Sequence, residues 1–212
     1  MNFSNSLVAP EKCRLLVLAS GNGSNLQAIL DACTQGELNA KIVGVIADKP
    51  QAYALERARA AGIPTCLMQK SKDQTRSDYD RELAKTAALF KPDWIILAGW
   101  MRLLSCSFLD QFHMRVINLH PALPGAFPGT HAIERAFEAY QNGQITHTGI
   151  MVHLVPDAGV DNGPLLAQQV VEIYTDDTLE SLEARIHQAE HRLLVQVLKQ
   201  IADFQEVKSY SL

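Results

Sequence analysis

The chain has 212 residues, 47% of them hydrophobic and 20% charged, which is enough to bury a full core and short for two large domains. Its formal charge of −4 leaves no basic excess with which to neutralise a nucleic-acid backbone, so nucleic acid is not expected as a partner. The longest apolar stretch, 94–104, is short and interrupted by Arg102, and residues 1–12 are polar with no apolar signal core; a cytoplasmic protein without a membrane partner is expected, with a flexible leader over 1–12 and a single domain over 13–212.

In chain order, residues 14–19 form an apolar run suited to a strand buried on both faces, and Ser20-Gly21-Asn22-Gly23 breaks it before Leu26, Ile29, Leu30 and Cys33 recur at helical spacing. A second strand is predicted over 41–47, an alanine-rich helix over 52–61 stopped by Gly62 and Pro64, and a short strand over 65–68. A helix over 77–90, a strand over 94–98, a helix over 107–112 and a strand over 116–119 continue the alternation. Beyond a Pro/Gly-rich loop (121–129) come a helix over 132–141 and two β-rich runs, 149–155 and 165–173. A long amphipathic helix over 178–204 follows, its stripe made by Leu179, Leu182, Ile186, Leu193, Val197 and Ile201. This order predicts an α/β fold: an open, mainly parallel, doubly wound Rossmann-like sheet with an antiparallel C-terminal edge and a long C-terminal helix.

Two groups of residues point to chemistry. Gly21-Asn22-Gly23-Ser24-Asn25 lies between a buried strand and a helix start, where free N–H groups and the helix dipole favour an anion. The dinucleotide fingerprint needs a glycine where Leu26 stands, and no Gly-Lys-Ser/Thr of a nucleotide P-loop follows, so a phosphate monoester is the better fit. A tight strand-to-helix turn with no ligand accounts for the same glycines. Asn118 and His120 are two apart at the end of a strand, so both side chains point to one face at the carboxyl edge that also carries the glycine loop. A buried, hydrogen-bonded histidine beside a turn asparagine is the competing account of that pair.

From about residue 14 to 201 the chain resembles the phosphoribosylglycinamide formyltransferases. The likeness rests on Gly-Asn-Gly-Ser-Asn-Leu-Gln at 21–27, Leu-Ala-Gly-Trp-Met-Arg-Leu-Leu at 97–104, Asn-Leu-His-Pro-Ala-Leu at 118–123 and Asp161-Asn162-Gly163-Pro164, in the family's order. The resemblance implies transfer of the formyl group of 10-formyltetrahydrofolate to the amine of glycinamide ribonucleotide in purine biosynthesis, with the folate as co-substrate, no metal, and a monomer or homodimer. It implies Asn118, His120 and Asp161 as catalytic residues, a chemistry for which oxyanion donors and a histidine–carboxylate proton shuttle are well suited. By the same likeness the ribonucleotide contacts Gly23, Ser24, Asn25, His187 and Glu190, and the folate contacts Arg76, Met101, Arg102, Leu103, Leu104, Asn118 and Asp161. The glycine loop then belongs to a half over about 13–112, and the catalytic and folate residues to a half over about 113–212. This chain departs from the pattern in its 124–128 loop, which lacks the lysine or arginine several relatives carry, and at His187, where some relatives have glutamine.

Three other readings compete. His187-Gln188-Ala189-Glu190-His191 satisfies the H-x-x-E-H zinc-peptidase pattern, but only Asp203 and Glu206 follow as downstream carboxylates. The four cysteines, Cys13, Cys33, Cys66 and Cys106, are spread out with no C-x-x-C pair and read as reduced thiols. A formyltetrahydrofolate hydrolase would use the same three catalytic residues, and a non-catalytic phosphosugar or nucleotide-binding module would need only the glycine loop.

Overall fold

The computed structural model describes residues 11–209; most of the expected leader, residues 1–10, lies outside the described residues. The strands are β1 (Cys13–Ala19), β2 (Ala40–Ala47), β3 (Thr65–Leu67), β4 (Trp94–Leu97), β5 (Val116–His120), β6 (His147–Leu154) and β7 (Leu165–Glu172). The helices are α1 (Ser24–Gln35), α2 (Tyr53–Ala60), α3 (Arg76–Leu89), α4 (Cys106–Leu109), α5 (Ala132–Gln141) and α6 (Leu179–Ser209). They build a sheet of order β3-β2-β1-β4-β5-β6-β7 in which β1 to β5 pair in parallel and β6 and β7 are antiparallel.

The alternation of side chains along β1 divides the core. Leu15, Val17 and Ala19 pack with Leu26 and Ile29 of α1 and with Leu182, Ile186 and Leu194 of α6. Leu16 and Leu18 point the other way, onto Tyr79, Leu83 and Ala87 of α3 and Phe108 of α4. Helices therefore cover both faces, as parallel strands require. The chain leaves β1 toward β2 and β3, then crosses back to β4 on the other side, so the strand order reverses between β1 and β4. At such a reversal the loops after neighbouring strands diverge and open a crevice at the carboxyl edge.

The helix expected over 107–112 is two pieces, α4 and a 3₁₀ turn at Asp110–Phe112, with the Phe108 and Phe112 rings packed at a tilt, 5.0 Å between centroids. The final helix runs on to Ser209, beyond the expected 204, in a segment with neither glycine nor proline to stop it. All four cysteines are free thiols, and burial pushes Cys13 up to about 12, where it is inert as a nucleophile. Among the described residues no helix is long and apolar enough to cross a membrane.

Candidate active site

β5 delivers Asn118 and His120 to the carboxyl edge, and the antiparallel register of β6 sets His153 directly opposite Asn118. The connection from β6 to β7 then turns back over them and inserts Asp161, which adopts a left-handed backbone conformation with φ +50°. Close packing of that turn depends on Gly163, whose missing Cβ would lie 1.8 Å from the Leu154 carbonyl oxygen. Asp161 Oδ1 accepts from Asn118 Nδ2 at 3.0 Å. Its Oδ2 accepts from the Gly129 N–H at 2.8 Å and lies 3.3 Å from His120 Nδ1.

Histidine tautomers follow from these partners. His153 Nδ1 faces the Leu154 carbonyl at 2.8 Å, and a carbonyl can only accept, so that nitrogen carries the proton. In the neutral ring Nε2 is then free to accept from Asn118 Nδ2 at 3.2 Å. Both N–H groups of Asn118 are thus engaged within the protein, one on Asp161 and one on His153. His120 Nε2 likewise faces a carbonyl, that of Phe127 at 3.1 Å, while its Nδ1 faces Asp161.

The electrostatics of the pair are set by opposed influences with a clear outcome. Burial holds the His120 imidazole below its ordinary value, with His153 and Arg135 acting in the same direction, against the Asp161 carboxylate and the Phe127 carbonyl. At Asp161 burial alone would raise the carboxyl, but the Gly129 N–H and the neighbouring imidazoles of His153 and His120 hold it below the usual range. The result at neutral pH is a neutral base beside a fixed anion, an arrangement suited to taking a proton from an attacking amine.

These groups floor a cavity of about 350 Å³ whose wall includes Met101, Arg102, Leu103 and Leu104 as well as Asn118, His120 and Asp161. Met101 and Leu103 are 58% and 48% exposed, apolar surface of the kind a flat ring system covers. Arg102 lines the cavity with its Nε on the buried Asp48 carboxylate at 2.7 Å and its guanidinium 5.4 Å from the Tyr79 ring centroid. Arg76 braces the end of the same segment, donating to the Leu104 carbonyl at 2.6 Å.

The glycine loop, His187 and Glu190 lie outside that wall and form a second cluster. Gly23 is the N-cap of α1 with φ +76° and no side-chain cap, which leaves first-turn N–H groups available to an anion. A Cβ there would stand 2.8 Å from the Ala54 Cα, so the position requires glycine on two counts. Asn25 Nδ2 donates weakly to Glu190 Oε2 at 3.5 Å, and His187 Nδ1 approaches the same oxygen at 2.8 Å. That contact raises His187 above its ordinary value, against the opposing effect of burial. Among the described residues, Asn25 Oδ1 and His191 Nε2 are buried without a hydrogen-bond partner.

Ser20 joins the two clusters. Its N–H donates to the Gly99 carbonyl at 3.0 Å and its Oγ accepts from the Met101 N–H at 2.9 Å, so the glycine loop and the apolar wall are fastened to each other. Neither Ser20 nor His153 nor Arg135 is singled out by sequence reasoning. An internal signal for His153 exists, since it alternates with Met151 along a predicted strand, but which residue it opposes depends on a register that the sequence does not display. Among the described residues no group of three or more His, Cys, Asp or Glu is arranged to hold a metal ion, and His187 of the H-x-x-E-H segment is engaged with Glu190.

Comparison with known proteins agrees with this architecture. The family described as Formyl transferase matches residues 13–198. A phosphoribosylglycinamide formyltransferase of Schizosaccharomyces pombe is 49% identical over 88% of this chain and 96% of its own length. One from Dictyostelium discoideum is 46% identical over 87% of this chain and 96% of its own. The crystal structure of glycinamide ribonucleotide transformylase 1 from Symbiobacterium toebii superposes with a TM-score of 0.85 at 39% identity, covering 91% of this chain and 89% of that one. With a match over most of its length to relatives of nearly the same extent, the chain belongs to the phosphoribosylglycinamide formyltransferases.

Proposed function

We propose that this protein transfers the formyl group of 10-formyltetrahydrofolate to the amine of glycinamide ribonucleotide, giving formylglycinamide ribonucleotide and tetrahydrofolate, in a single domain over residues 13–212. The observation that carries the reading is the convergence of Asn118, His120 and Asp161 on one cavity floor beside the apolar wall 101–104. In this reading the folate ring system lies along Met101 to Leu104, which puts its formyl-bearing nitrogen over His120 and Asp161. The ribonucleotide phosphate sits on the N–H groups of Gly23, Ser24 and Asn25, with His187 as a cationic partner and Glu190 receiving a polar group of the substrate. Arg76 and Arg102 flank the folate by their place along the wall.

The amine nitrogen adds to the formyl carbon, and the carbonyl becomes a tetrahedral oxyanion. One Asn118 N–H turned from its protein partner stabilises it, joined by His120 once that imidazole has taken the amine proton. The amine proton passes to His120, Asp161 holds the resulting imidazolium, and the bond from the formyl carbon to the folate nitrogen breaks as that nitrogen takes up the proton. Atoms balance without a metal or a redox partner.

The test is acceptor dependence. Purified protein given 10-formyltetrahydrofolate is expected to release tetrahydrofolate quickly with glycinamide ribonucleotide and slowly with water alone. Equal rates with and without the amine would make the protein a hydrolase; no release in either case, with binding retained, would make it a binding module. Asn25→Ala is expected to raise KM for the ribonucleotide more than KM for the folate, because loss of a phosphate contact removes binding common to ground and transition states.

A further inference from the structure

The loop between β5 and α5 touches both members of the His120–Asp161 pair, and one side chain of α5 holds it there. Arg135 Nη2 donates to the Phe127 carbonyl at 2.8 Å and to the Pro128 carbonyl at 2.6 Å, and its Nε donates to the His131 carbonyl at 3.3 Å. The Phe127 carbonyl in turn faces His120 Nε2 at 3.1 Å, and the N–H of Gly129, one residue past Pro128, donates to Asp161 Oδ2 at 2.8 Å. The segment is not a relaxed one. Phe127 and His131 are both non-glycine residues at positive φ, +45° and +57°, and such a conformation persists only where surrounding contacts over-determine it. The guanidinium stands beside the Phe127 ring, 5.9 Å from its centroid, so side chain and carbonyl of the same residue are gripped together.

We infer that Arg135 is the positioning residue of this active site: by clamping the Phe127 and Pro128 carbonyls it sets the loop that orients His120 through one end and Asp161 through the other. This rests on the function proposed above for His120 and Asp161. The planar fork of arginine suits the task, because two N–H groups leave it at a fixed angle and meet neighbouring carbonyls that a flexible ammonium cannot hold in one geometry. The Phe127 oxygen has two lone pairs and uses them on Arg135 and His120, so loss of the first donor frees the carbonyl to turn from the second. Arg135 also presents a positive charge to an imidazole that otherwise faces Asp161, His153 and the Phe127 carbonyl. Removing it relieves repulsion of the protonated ring, and loosening the loop admits water against burial, the largest influence on this imidazole; together these outweigh loss of the carbonyl acceptor.

The experiment compares wild type, Arg135→Met and Arg135→Lys. For Arg135→Met the expected result is a fall in kcat of about tenfold or more with KM for both substrates within about threefold, and an acidic limb of the kcat/KM profile moved to higher pH. Arg135→Lys keeps the charge without the fork and is expected to return the limb toward wild type while recovering kcat only in part. The nitrogen resonances of His120, assigned by comparison with His120→Ala in the substrate-free protein, are expected to shift in Arg135→Met. A variant that melts earlier yet keeps the wild-type kcat, pH profile and His120 resonances would reduce Arg135 to a structural brace and overturn the inference. The resonances are read without turnover, so a wild-type protein that fails to transfer formyl groups would sink the proposed function while leaving the clamp itself measurable.

Discussion

Asn118 and Asp161 are 43 residues apart in the chain, yet the Asn118 amide donates to the Asp161 carboxylate at 3.0 Å. That bond ties the end of a parallel strand to a left-handed turn at the far side of an antiparallel hairpin, so the geometry of each depends on the other. It also orients the carboxylate, leaving Oδ2 for His120 and the loop N–H of Gly129.

Asp161→Asn keeps the size of the side chain and removes the charge that holds an imidazolium. Turnover is expected to fall by about a hundredfold or more, with folate affinity little changed, as for loss of a general acid–base partner. His120→Ala is expected to fall at least as far, and Asn118→Ala by roughly 3 kcal/mol of barrier if one oxyanion donor is lost. Single-turnover formyl transfer with saturating substrates measures each; a near-wild-type rate takes that residue out of its role.

The two histidine clusters are expected to titrate in opposite directions. His120 is depressed by burial, so its neutral form persists below the ordinary value of about 6.5 and kcat/KM holds into mildly acidic solution before it falls. Its contribution to stability has the same sense: present above the unfolded value and lost as pH falls through the folded one. His187 is raised by Glu190, so it remains cationic past its ordinary value, and its contribution is present at low pH and lost as pH rises through the folded value. KM for the ribonucleotide should therefore climb as pH rises through that value, and His187→Gln should flatten the climb. A KM that is flat with pH in the wild type would remove His187 from phosphate binding.

Gly23→Ala is expected to damage stability and ribonucleotide binding together. The left-handed conformation costs an L-residue about 1–2 kcal/mol, and the added methyl must displace the backbone of α2, which stands 2.8 Å away. Urea unfolding should show a loss of about 2–4 kcal/mol, and KM for the ribonucleotide should rise by more than KM for the folate. Equal changes in the two constants would mean that the loop does not hold the phosphate.

Ser20→Ala removes the acceptor for the Met101 N–H in a buried setting, at a cost of about 1–3 kcal/mol for the orphaned donor. Because Met101 opens the apolar wall, the larger kinetic change is expected in KM for the folate, read from initial rates at saturating ribonucleotide. Ser20→Thr, which keeps the hydroxyl, separates loss of this bond from loss of the side chain in general.

Local patterns of residues set the order of the layers and the edge at which Asn118 and His120 stand. Apolar runs at 15–19, 42–47 and 94–98 suit strands covered on both sides, and they became the interior of β1 and β2 and the whole of β4. The two-residue period of a strand put Asn118 and His120 on one side wherever β5 lay, and that relation is local enough to be legible before any fold is known. The glycine loop was readable for the same reason, since a left-handed turn opening a helix is set by the residues within it. Partnerships made across elements came only with folding: His153 against Asn118 through strand register, Ser20 against Met101 through the reversal of strand order, and Arg135 against the carbonyls of a loop that precedes its helix. These depend on where separate elements come to rest against one another. Burial energy, which settles that, is summed over the whole core and leaves no trace in the local spacing of the residues that finally meet.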